Sequence, residues 1–320
     1  MRIIVTGGAG FIGSNFIHKY VKDHQILNYD KLTYAGNLNN LGSIEKSPNY
    51  SFVMGDINDE LLFKKVISDF QPDKIINFAA ESHVDRSIDN PENFLETNIL
   101  GTFKILNASL KYFNKSDKKK QNLFSFLHIS TDEVYGSLGS TGLFKESTSY
   151  DPSSPYSASK ASSDHLVKAW FKTYGLPVMI TNCSNNYGPY QFPEKLIPST
   201  ILKAINGKQI SIYGNGQQIR DWLFVDDHVQ ALYKVATEGK VGETYNIGGN
   251  CEKRNIEVVE EICSLLDEII PLKDASYHKQ IKFVSDRPGH DQRYAINTSK
   301  ISNQLGWEPK DRLKDYILGL

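Results

Sequence analysis

Short apolar runs alternate with longer amphipathic segments through the first 180 residues, and this alternation limits the possible folds more than any other feature of the sequence. A short continuous apolar run is typical of a strand that is buried on both faces of a parallel sheet. The alternation therefore predicts consecutive βαβ units and an α/β fold with a doubly wound parallel sheet. The predicted strands are residues 3–6, 25–29, 51–54, 74–78, 123–129 and 178–181, and the predicted helices are residues 12–22, 59–70, 92–113 and 157–174.

Beyond residue 182 the periodicity fades, and Asn, Gly, Pro and Tyr become frequent. We expect a smaller C-terminal α+β substrate-binding domain there. Further strands are predicted at 210–213 and 244–247, and further helices at 226–237 and 255–269. The predicted domain division assigns residues 1–185, with return segments near 217–248, to a nucleotide-binding domain, and residues 186–216 and 249–320 to the substrate-binding domain. The lysine-rich run 115–120 is predicted to be a solvated loop.

The charge balance argues against two classes of partner. The chain has 36 Lys and Arg against 37 Asp and Glu, a net charge of −1, which is no basis for binding nucleic acid or an anionic membrane. No apolar run approaches the roughly 18 residues of a membrane span, so we expect a soluble, cytoplasmic protein. The three cysteines and eight histidines lack the spacing of metal ligands, so no metal site is predicted.

Gly7, Gly10 and Gly13 follow the first predicted strand and open the first predicted helix. In such a turn, glycines allow a tight bend, a close approach of backbone N–H groups to a pyrophosphate, and close packing of helix on strand. Asp30 ends the second predicted strand 17 residues beyond Gly13, where a carboxylate can bond the ribose hydroxyls of NAD and disfavours the 2′-phosphate of NADP. The sequence thus predicts a Rossmann-type site for NAD; the alternative is a glycine-rich turn without a cofactor.

Tyr156 and Lys160 stand four residues apart in a predicted helix, on one helical face. An ammonium beside a phenol, together with the positive charge of a nicotinamide ring, is expected to lower the phenol pKa toward neutrality. Tyr156 could then accept a hydroxyl proton as a hydride leaves the substrate. The same spacing is also common on solvated helix faces, so this pair needs support from other motifs.

Thr131, Asp132 and Glu133 follow the fifth predicted strand, at the edge of a parallel sheet where ligands bind. Two adjacent carboxyl groups can serve as acid and base if their surroundings separate their pKa values. The alternative is a helix cap or surface turn, in which Thr and Asp are also common. Tyr156 and Lys160 in the next element favour the catalytic interpretation.

Several motifs together resemble the extended short-chain dehydrogenase/reductase family, and in particular its nucleotide-sugar 4,6-dehydratases. They cover nearly the whole chain: GGAGFIGS at 7–14, AAESHVDRS at 79–87, STDEVYG at 130–136, YSASK at 156–160, SNNYGPYQFPEKLIP at 184–198, YGNGQQIRDW at 213–222 and DRPGH at 286–290. The acid pair after Thr131 matches members that act on dTDP-glucose, whereas UDP-galactose epimerases lack it. The resemblance implies an NAD-dependent enzyme that converts dTDP-glucose to dTDP-4-dehydro-6-deoxy-glucose and water.

The resemblance also implies a role for each catalytic residue. Tyr156 would deprotonate the C4 hydroxyl as hydride passes from C4 to NAD, with Thr131 bonding that oxygen and Lys160 holding the cofactor ribose. Glu133 would then remove the C5 proton while Asp132 protonates the departing C6 hydroxyl. Hydride return to C6 would leave NAD unconsumed.

Contacts to cofactor and substrate follow from the resemblance and from position in the fold. The expected cofactor residues are Gly7, Gly10, Phe11, Ile12, Gly13, Asp30, Lys31, Thr33, Asp56, Ile57, Ala79, Ala80, Thr97, Tyr156, Lys160 and Asn186. The expected substrate residues are Ser82, Thr131, Asn185, Lys195, Leu196, Tyr213, Arg220, Asn255, Asp286, Arg287 and His290. Ser211 departs from the family pattern, since many relatives have proline at this place of the expected nucleotide-base contact.

Three alternative functions remain open at this point, and the resemblance also predicts an oligomeric state. A UDP-glucose 4,6-dehydratase or a UDP-sugar 4-epimerase would share the cofactor and the fold, and one methyl group separates thymine from uracil. A dinucleotide-sensing regulator would be expected to lack Tyr156, Lys160 or the carboxylates, all of which are present. Because the helices at 92–113 and 157–174 pair relatives into dimers, we expect a homodimer.

Overall fold

A seven-stranded parallel sheet forms the centre of the computed structural model, which describes residues 1–310 and 313–318. The strand order is β3-β2-β1-β4-β5-β6-β10, so the chain reverses its winding direction between β1 and β4. In open parallel sheets, ligands bind outside the carboxyl ends of the strands at this reversal. The strands are β1 (Arg2–Thr6), β2 (Gln25–Asp30), β3 (Tyr50–Met54), β4 (Lys74–Asn77), β5 (Ser125–Thr131), β6 (Val178–Cys183) and β10 (Thr244–Ile247).

Helices cover both faces of this sheet, which confirms the predicted Rossmann-type doubly wound fold. On one face, Phe16 and Leu232 pack with strand residues in one hydrophobic core. On the other face, Phe63, Leu106 and Val167 pack with strand residues in a second core. The first face carries α1 (Phe11–Tyr20), α9 (Val225–Glu238) and α11 (Ser299–Leu305), and the second carries α2 (Glu60–Phe70), α5 (Thr102–Lys115) and α7 (Pro155–Tyr174).

A smaller α+β region lies beyond the carboxyl ends of the central strands. Its core contains Ile201, Ile212 and Val259. It is built from a three-stranded sheet in the order β11-β9-β7, a two-stranded sheet of β12 and β8, and three helices. These elements are β7 (Asn185–Tyr187), α8 (Leu196–Ile205), β8 (Ile210–Tyr213), β9 (Ile219–Phe224), β11 (Glu252–Arg254), α10 (Asn255–Ile269), β12 (Ile281–Val284) and α12 (Leu313–Leu318).

The chain passes between the two regions more than once. β9 pairs with β7 and β11 in the smaller region, whereas β10 returns to the central sheet beside β6. The predicted division at residues 185, 216 and 248 stays a prediction, and residues 311–312 and 319–320 of its last segment lie outside the described residues. Among the described residues, no helix has the length and apolarity needed to cross a bilayer.

The prediction of a solvated loop at 115–120 is wrong in part. The side chain of Asp117 accepts a hydrogen bond from the backbone N–H of Lys120 at 2.8 Å and caps a short helix, α6 (Lys118–Leu123). Lys120 also pairs with the Asp73 carboxylate at 2.6 Å, with both side chains largely buried. As a result β5 begins at Ser125, two residues later than predicted.

The predicted helix at 92–113 contains a π-helical segment. It starts as α4 (Pro91–Phe94) after the short helix α3 (Val84–Asp89), widens into a π-helix over Leu95–Gly101 and continues as α5. Such segments are often found at functional sites. This one turns Asn98 inward, where its amide bonds the backbone N–H and C=O of Glu81 at 2.9 and 3.0 Å and the Ser159 hydroxyl at 2.8 Å.

Replacing Asn98 by alanine is expected to lower the free energy of unfolding by about 2–3 kcal/mol, because it leaves buried backbone groups of Glu81 without partners. Urea unfolding monitored by circular dichroism measures the loss. Asn107→Ala is the control, since Asn107 makes a single bond of 3.2 Å to Glu60 near the surface. Equal stability of the two variants would show that the hydrogen bonds of Asn98, which connect the π-helix to the segment after β4 and to α7, do not stabilise the fold as expected.

Candidate active site

Two adjoining cavities lie at the carboxyl end of the central sheet. The first follows the ends of β1, β2, β4 and β5, and the second extends from it toward the smaller region. Both are lined by Glu133, Asn185, Asn186, Glu194 and Lys195, so they form one continuous cleft. We call them the cofactor cavity and the substrate cavity, after the contacts predicted for their residues. The cofactor cavity is lined by these predicted cofactor residues: Gly7, Gly10, Phe11, Ile12, Gly13, Asp30, Lys31, Thr33, Ile57, Ala79, Ala80, Thr97, Tyr156, Lys160 and Asn186.

The turn from β1 to α1 requires glycine at two positions. Gly7 has a φ of +70°, and a Cβ atom there would lie 2.7 Å from the backbone nitrogen of Ala79. A Cβ atom on Gly13 would lie 2.4 Å from the carbonyl oxygen of Gly7. The helix therefore begins against the strand and presents its first N–H groups to the cofactor cavity, an arrangement suited to a diphosphate.

Asp30 lies at the end of β2 with 8 % of its surface exposed. Its carboxylate accepts hydrogen bonds from the backbone N–H groups of Ala9 at 2.9 Å and Leu32 at 2.8 Å, which fix its orientation at the cavity wall. Burial raises its pKa, and these two bonds together with the charge of Lys31 oppose that rise. Asp56, by contrast, does not line the cavity: it pairs with Lys31 at 3.4 Å and bonds the N–H of Asn58 at 2.8 Å.

Tyr156 and Lys160 lie on the buried face of α7, whose start is fixed by a capping box between Ser154 and Ser157. Burial raises the Tyr156 pKa well above its usual value, the Glu133 carboxylate raises it further, and a hydrogen bond with Thr131 opposes the rise. The expected lowering of this pKa includes the positive charge of a bound nicotinamide ring and stays a prediction. Within the chain, the buried Lys160 directs its ammonium to the carbonyl of Ile129, at 2.8 Å.

The segment after β5 separates the environments of the two carboxyl groups. Asp132 is 2 % exposed, and its Oδ1 accepts a hydrogen bond of 3.3 Å from the Thr131 hydroxyl. Burial raises the Asp132 pKa well above its usual value, and the charges of Glu133 and Asp221 add to this effect. Burial also raises the Glu133 pKa, but the cations of Arg287, Arg220 and Lys195 oppose that rise. Burial thus raises both pKa values, more strongly that of Asp132, and three cations of the cleft oppose the rise at Glu133.

The two carboxyl groups also differ in their access to the cleft. Glu133 lines both cavities, whereas Asp132 lies behind the surface of both, with its Oδ2 atom buried and without a hydrogen-bond partner among the described residues. Thr131 lines the cofactor cavity between them and receives the N–H of Glu133 at 3.3 Å. The predicted trio is therefore brought together, and Asp132 lies deepest.

Cations line the substrate cavity. The Arg220 guanidinium is 5 % exposed, donates to the carbonyl of Asp291 at 2.8 Å and lies 4.2 Å from the centre of the Tyr294 ring. The Lys195 ammonium donates to the carbonyl of Ser82 at 3.0 Å. Arg287 pairs with Asp85 at 3.1 Å. Three cations around one cleft suit an anionic group such as a diphosphate.

Most of the predicted substrate residues line the cleft. Ser82 and Thr131 line the cofactor cavity. Asp286 lines neither cavity; its carboxylate pairs with His290 at 2.6 Å and accepts a hydrogen bond from the Gln218 amide at 3.0 Å. The predicted substrate residues at the substrate cavity are Asn185, Lys195, Leu196, Tyr213, Arg220, Asn255, Arg287 and His290. Asp221, the neighbour of Arg220 in the chain, accepts hydrogen bonds from the backbone N–H groups of Gly249 and Cys251.

A cluster at the junction of the two cavities was not predicted. The Arg86 guanidinium lies 3.8 Å from the centre of the Tyr34 ring and 3.3 Å from the Glu194 carboxylate. His83 lies 3.7 Å from the same carboxylate. The motifs at 79–87 and 184–198 contain Arg86, His83 and Glu194, but no spacing rule brings residues so far apart in sequence together. Among the described residues, no cluster of His, Cys, Asp and Glu has the arrangement of a metal site.

Comparisons with known proteins agree with this geometry. The sequence model of a family described as GDP-mannose 4,6 dehydratase matches residues 4–318. A dTDP-glucose 4,6-dehydratase of Shigella flexneri is 56% identical over 328 residues, which cover 99% of this chain and 91% of the relative.

Two solved structures have the same fold over 99% of this chain and 96% of theirs. A dTDP-glucose 4,6-dehydratase from Bacillus anthracis in complex with NAD is 48% identical, with a TM-score of 0.87. Another from Streptomyces venezuelae, with NAD and dTDP bound, is 40% identical, with a TM-score of 0.90. The chain therefore belongs to the GDP-mannose 4,6 dehydratase family of the short-chain dehydrogenase/reductase enzymes.

Proposed function

We propose that this protein is an NAD-dependent dTDP-glucose 4,6-dehydratase. One observation carries the proposal: Tyr156 and Glu133 line the same cavity, the buried Asp132 adjoins Glu133 in the chain, and the surroundings of the two carboxyl groups act differently on their pKa values. Relatives with 56% identity over nearly the full chain are dTDP-glucose 4,6-dehydratases, which supports the same substrate and product for this chain. The product is dTDP-4-dehydro-6-deoxy-glucose, formed with loss of one water.

The cofactor cavity fits NAD. A Cβ atom on Gly7 or Gly13 would collide with backbone, so the turn leaves its N–H groups open to a diphosphate, and the Asp30 carboxylate stands where it can accept ribose hydroxyls. NAD supplies a hydride acceptor at C4 of the sugar and a hydride donor at C6. NAD would be held by the β1–α1 turn and by Asp30, Thr97, Lys160 and Asn186.

Tyr156 and Thr131 act on the C4 hydroxyl. Tyr156 takes the proton of that hydroxyl when C4 is oxidised to a ketone, and the Thr131 side chain bonds the same oxygen. Because burial raises the Tyr156 pKa, the phenolate needs positive charge nearby, and the Lys160 ammonium on the same helical face is a source of it. The Ile129 carbonyl keeps that ammonium at the cavity wall.

Glu133 and Asp132 carry out the elimination. The C4 ketone acidifies the hydrogen on C5, so Glu133, which lines both cavities, would remove it as a proton. Asp132, whose pKa is raised by burial and by its charged neighbours, would give a proton to the departing C6 hydroxyl, which leaves as water. The double bond between C5 and C6 then receives a hydride at C6 and a proton at C5.

The alternatives are less well supported. The epimerases lack the acid pair after their Ser or Thr, whereas Asp132 and Glu133 are both present and placed in different environments. A non-catalytic regulator would have no use for a buried Tyr156 and Lys160 at the cavity wall. The homodimer, the cytoplasmic location, the domain boundaries and the absence of nucleic-acid and membrane partners stay predictions.

The direct test is incubation of the purified protein with a catalytic amount of NAD and, in parallel, dTDP-glucose or UDP-glucose. Mass spectrometry of the nucleotide sugar is expected to show loss of one water from dTDP-glucose with NAD unconsumed. Loss from UDP-glucose alone would contradict the substrate assignment. Unchanged mass with both sugars would contradict the dehydratase function.

Asp132→Asn is expected to lower kcat by about 100-fold or more, because the amide cannot protonate the leaving hydroxyl. Single-turnover absorbance of the reduced cofactor should still show C4 oxidation, since Tyr156 and Thr131 remain. The midpoint of urea unfolding should not change, because an amide resembles the protonated carboxyl. Asp69→Asn, exposed on α2, is the matched control. Water loss at the native rate in the Asp132 variant would contradict the acid assignment.

The proposed homodimer has a candidate surface on the helices at 91–115 and 155–174. Leu95 is 48% exposed, Leu100 is 50% exposed and Phe103 is 37% exposed, all on the first of these segments. The native chain is expected to elute from a sizing column as a dimer, and Leu100→Asp as a monomer. Leu61→Asp, at a leucine 78% exposed on α2, should remain dimeric. A native monomer, or equal behaviour of both variants, would contradict this interface.

A further inference from the structure

Asp164 is a buried carboxylate with no role in the steps above. It follows Lys160 by four residues and Tyr156 by eight on α7, so all three lie on the same face of that helix. None of its surface is exposed. A carboxylate in such a place is costly unless it is hydrogen-bonded and paired with positive charge.

One oxygen of Asp164 connects three parts of the site. Its Oδ2 atom accepts hydrogen bonds from the Ser130 hydroxyl at 2.9 Å, the Tyr150 hydroxyl at 2.9 Å and the Asn182 amide at 3.3 Å. Ser130 immediately precedes Thr131 on β5. The Asn182 amide, on β6, also donates to the Thr131 carbonyl at 3.0 Å. The carboxylate thus joins α7 to the ends of the two strands that present Thr131.

The other oxygen faces a neutral histidine. The Asp164 Oδ1 atom lies 3.5 Å from Nε2 of His128 on β5. The Thr6 hydroxyl donates to Oδ1 of Asn77 at 2.6 Å, so the Asn77 amide N–H₂ donates to Nδ1 of His128 at 3.1 Å. The proton of the imidazole is therefore assigned to Nε2, and complete burial keeps the His128 pKa well below its usual value. His128 brings no positive charge to Asp164.

Positive charge reaches Asp164 from its own helix. Lys160 and Lys168 stand four residues before and after it, and Lys168 lies 5.0 Å from the centre of the Tyr150 ring. Burial lowers the Lys160 pKa, while the charge of Asp164 and, to a smaller extent, the thiol of Cys183 on β6 raise it. The charge of Asp164 also raises the pKa values of Tyr150 and of Tyr135, in the turn after β5. Burial raises the Asp164 pKa itself, and the charge of Lys160 and the three hydrogen bonds to Oδ2 oppose that rise. Lys160 is the fully buried cation of this set.

We propose that Asp164 is a positioning residue, whose buried carboxylate keeps Lys160 as an ammonium and ties the Thr131 end of β5 to the helix that bears Tyr156. Its effect on the reaction passes through Lys160 and Thr131, and this part of the inference rests on the proposed dehydratase function. Its effect on the charge of Lys160 is a property of the chain itself and can be measured without substrate.

The test uses Asp164→Asn, which keeps the size of the side chain and an acceptor oxygen for Ser130 and Tyr150. With lysine labelled by ¹³C at Cε, NMR follows the titration of Lys160, and Lys160→Met assigns its signal. Loss of the carboxylate is expected to move the Lys160 titration to lower pH. The alkaline limb of the pH profile of kcat/KM should move in the same direction, and Asp164→Glu should restore part of both shifts.

Ser130→Ala is the matched control, because it removes one hydrogen bond to Asp164 and leaves the charge. It is expected to lower stability without moving the Lys160 titration. An unchanged titration in Asp164→Asn, or an equal shift in Ser130→Ala, would overturn the proposal. If the protein does not convert dTDP-glucose at all, the proposed function fails while the titration still decides the role of Asp164.

A thermodynamic cycle covers the case in which Asp164→Asn folds poorly. The charge of Asp164 is proposed to stabilise the Lys160 ammonium. Removing both charges in Lys160→Met/Asp164→Asn should therefore cost less free energy of unfolding than the sum of the two single changes. Costs that add without coupling would overturn the proposal.

Discussion

Burial of ionisable side chains between β5 and α7 is the constraint on which the rest of the site depends. Lys160, Asp132 and Asp164 each have 3 % or less of their surface exposed, at the carboxyl end of a sheet whose strands are themselves buried on both faces. A charge there must find a partner or give up its ionised form. The Lys160 ammonium donates to the Ile129 carbonyl and the charge of Asp164 raises its pKa, whereas burial and the charges of Glu133 and Asp221 raise the Asp132 pKa well above its usual value.

The same constraint sets the chemical roles. Glu133 differs from Asp132 by one position in the chain, yet it reaches the cleft, where Arg287, Arg220 and Lys195 oppose the effect of burial on its pKa. Neighbouring carboxyl groups thus have different environments, which suits one to act as a base and the other as an acid. The cations that favour the ionised Glu133 are those that suit the diphosphate of a nucleotide sugar, so substrate binding and acid–base function depend on one set of charges.

Much of the fold could be predicted from the sequence, because parallel βαβ units leave a period that a single chain displays. The glycine turn, Asp30 and the Tyr156–Lys160 pair depend on local spacing, and each lies at the cleft as predicted. Local capping was harder to predict: Asp117 turns a lysine-rich run into a short helix. The π-helix at Leu95–Gly101 was also harder to predict, because its Asn98 contacts residues far away in the sequence.

Electrostatics could not be predicted from spacing alone. Tyr156 lines the cofactor cavity, and burial with the charge of Glu133 raises its pKa within the chain, while the Lys160 ammonium donates to the Ile129 carbonyl. The cluster of Tyr34, Arg86 and Glu194 joins three distant segments and has no local signal. The roles of single residues thus need the packed structure, while the reaction class is already visible in the motifs.

In the proposed reaction, one sugar molecule is oxidised at C4, loses water across C5 and C6, and is reduced at C6 before it leaves the enzyme. Conversion of dTDP-glucose that carries deuterium at C4 tests it most directly, with the product analysed by NMR. The account predicts deuterium at C6 of the product, transferred within the same molecule when labelled and unlabelled substrates are mixed. Product without deuterium at C6, or with the label exchanged between molecules, would contradict it.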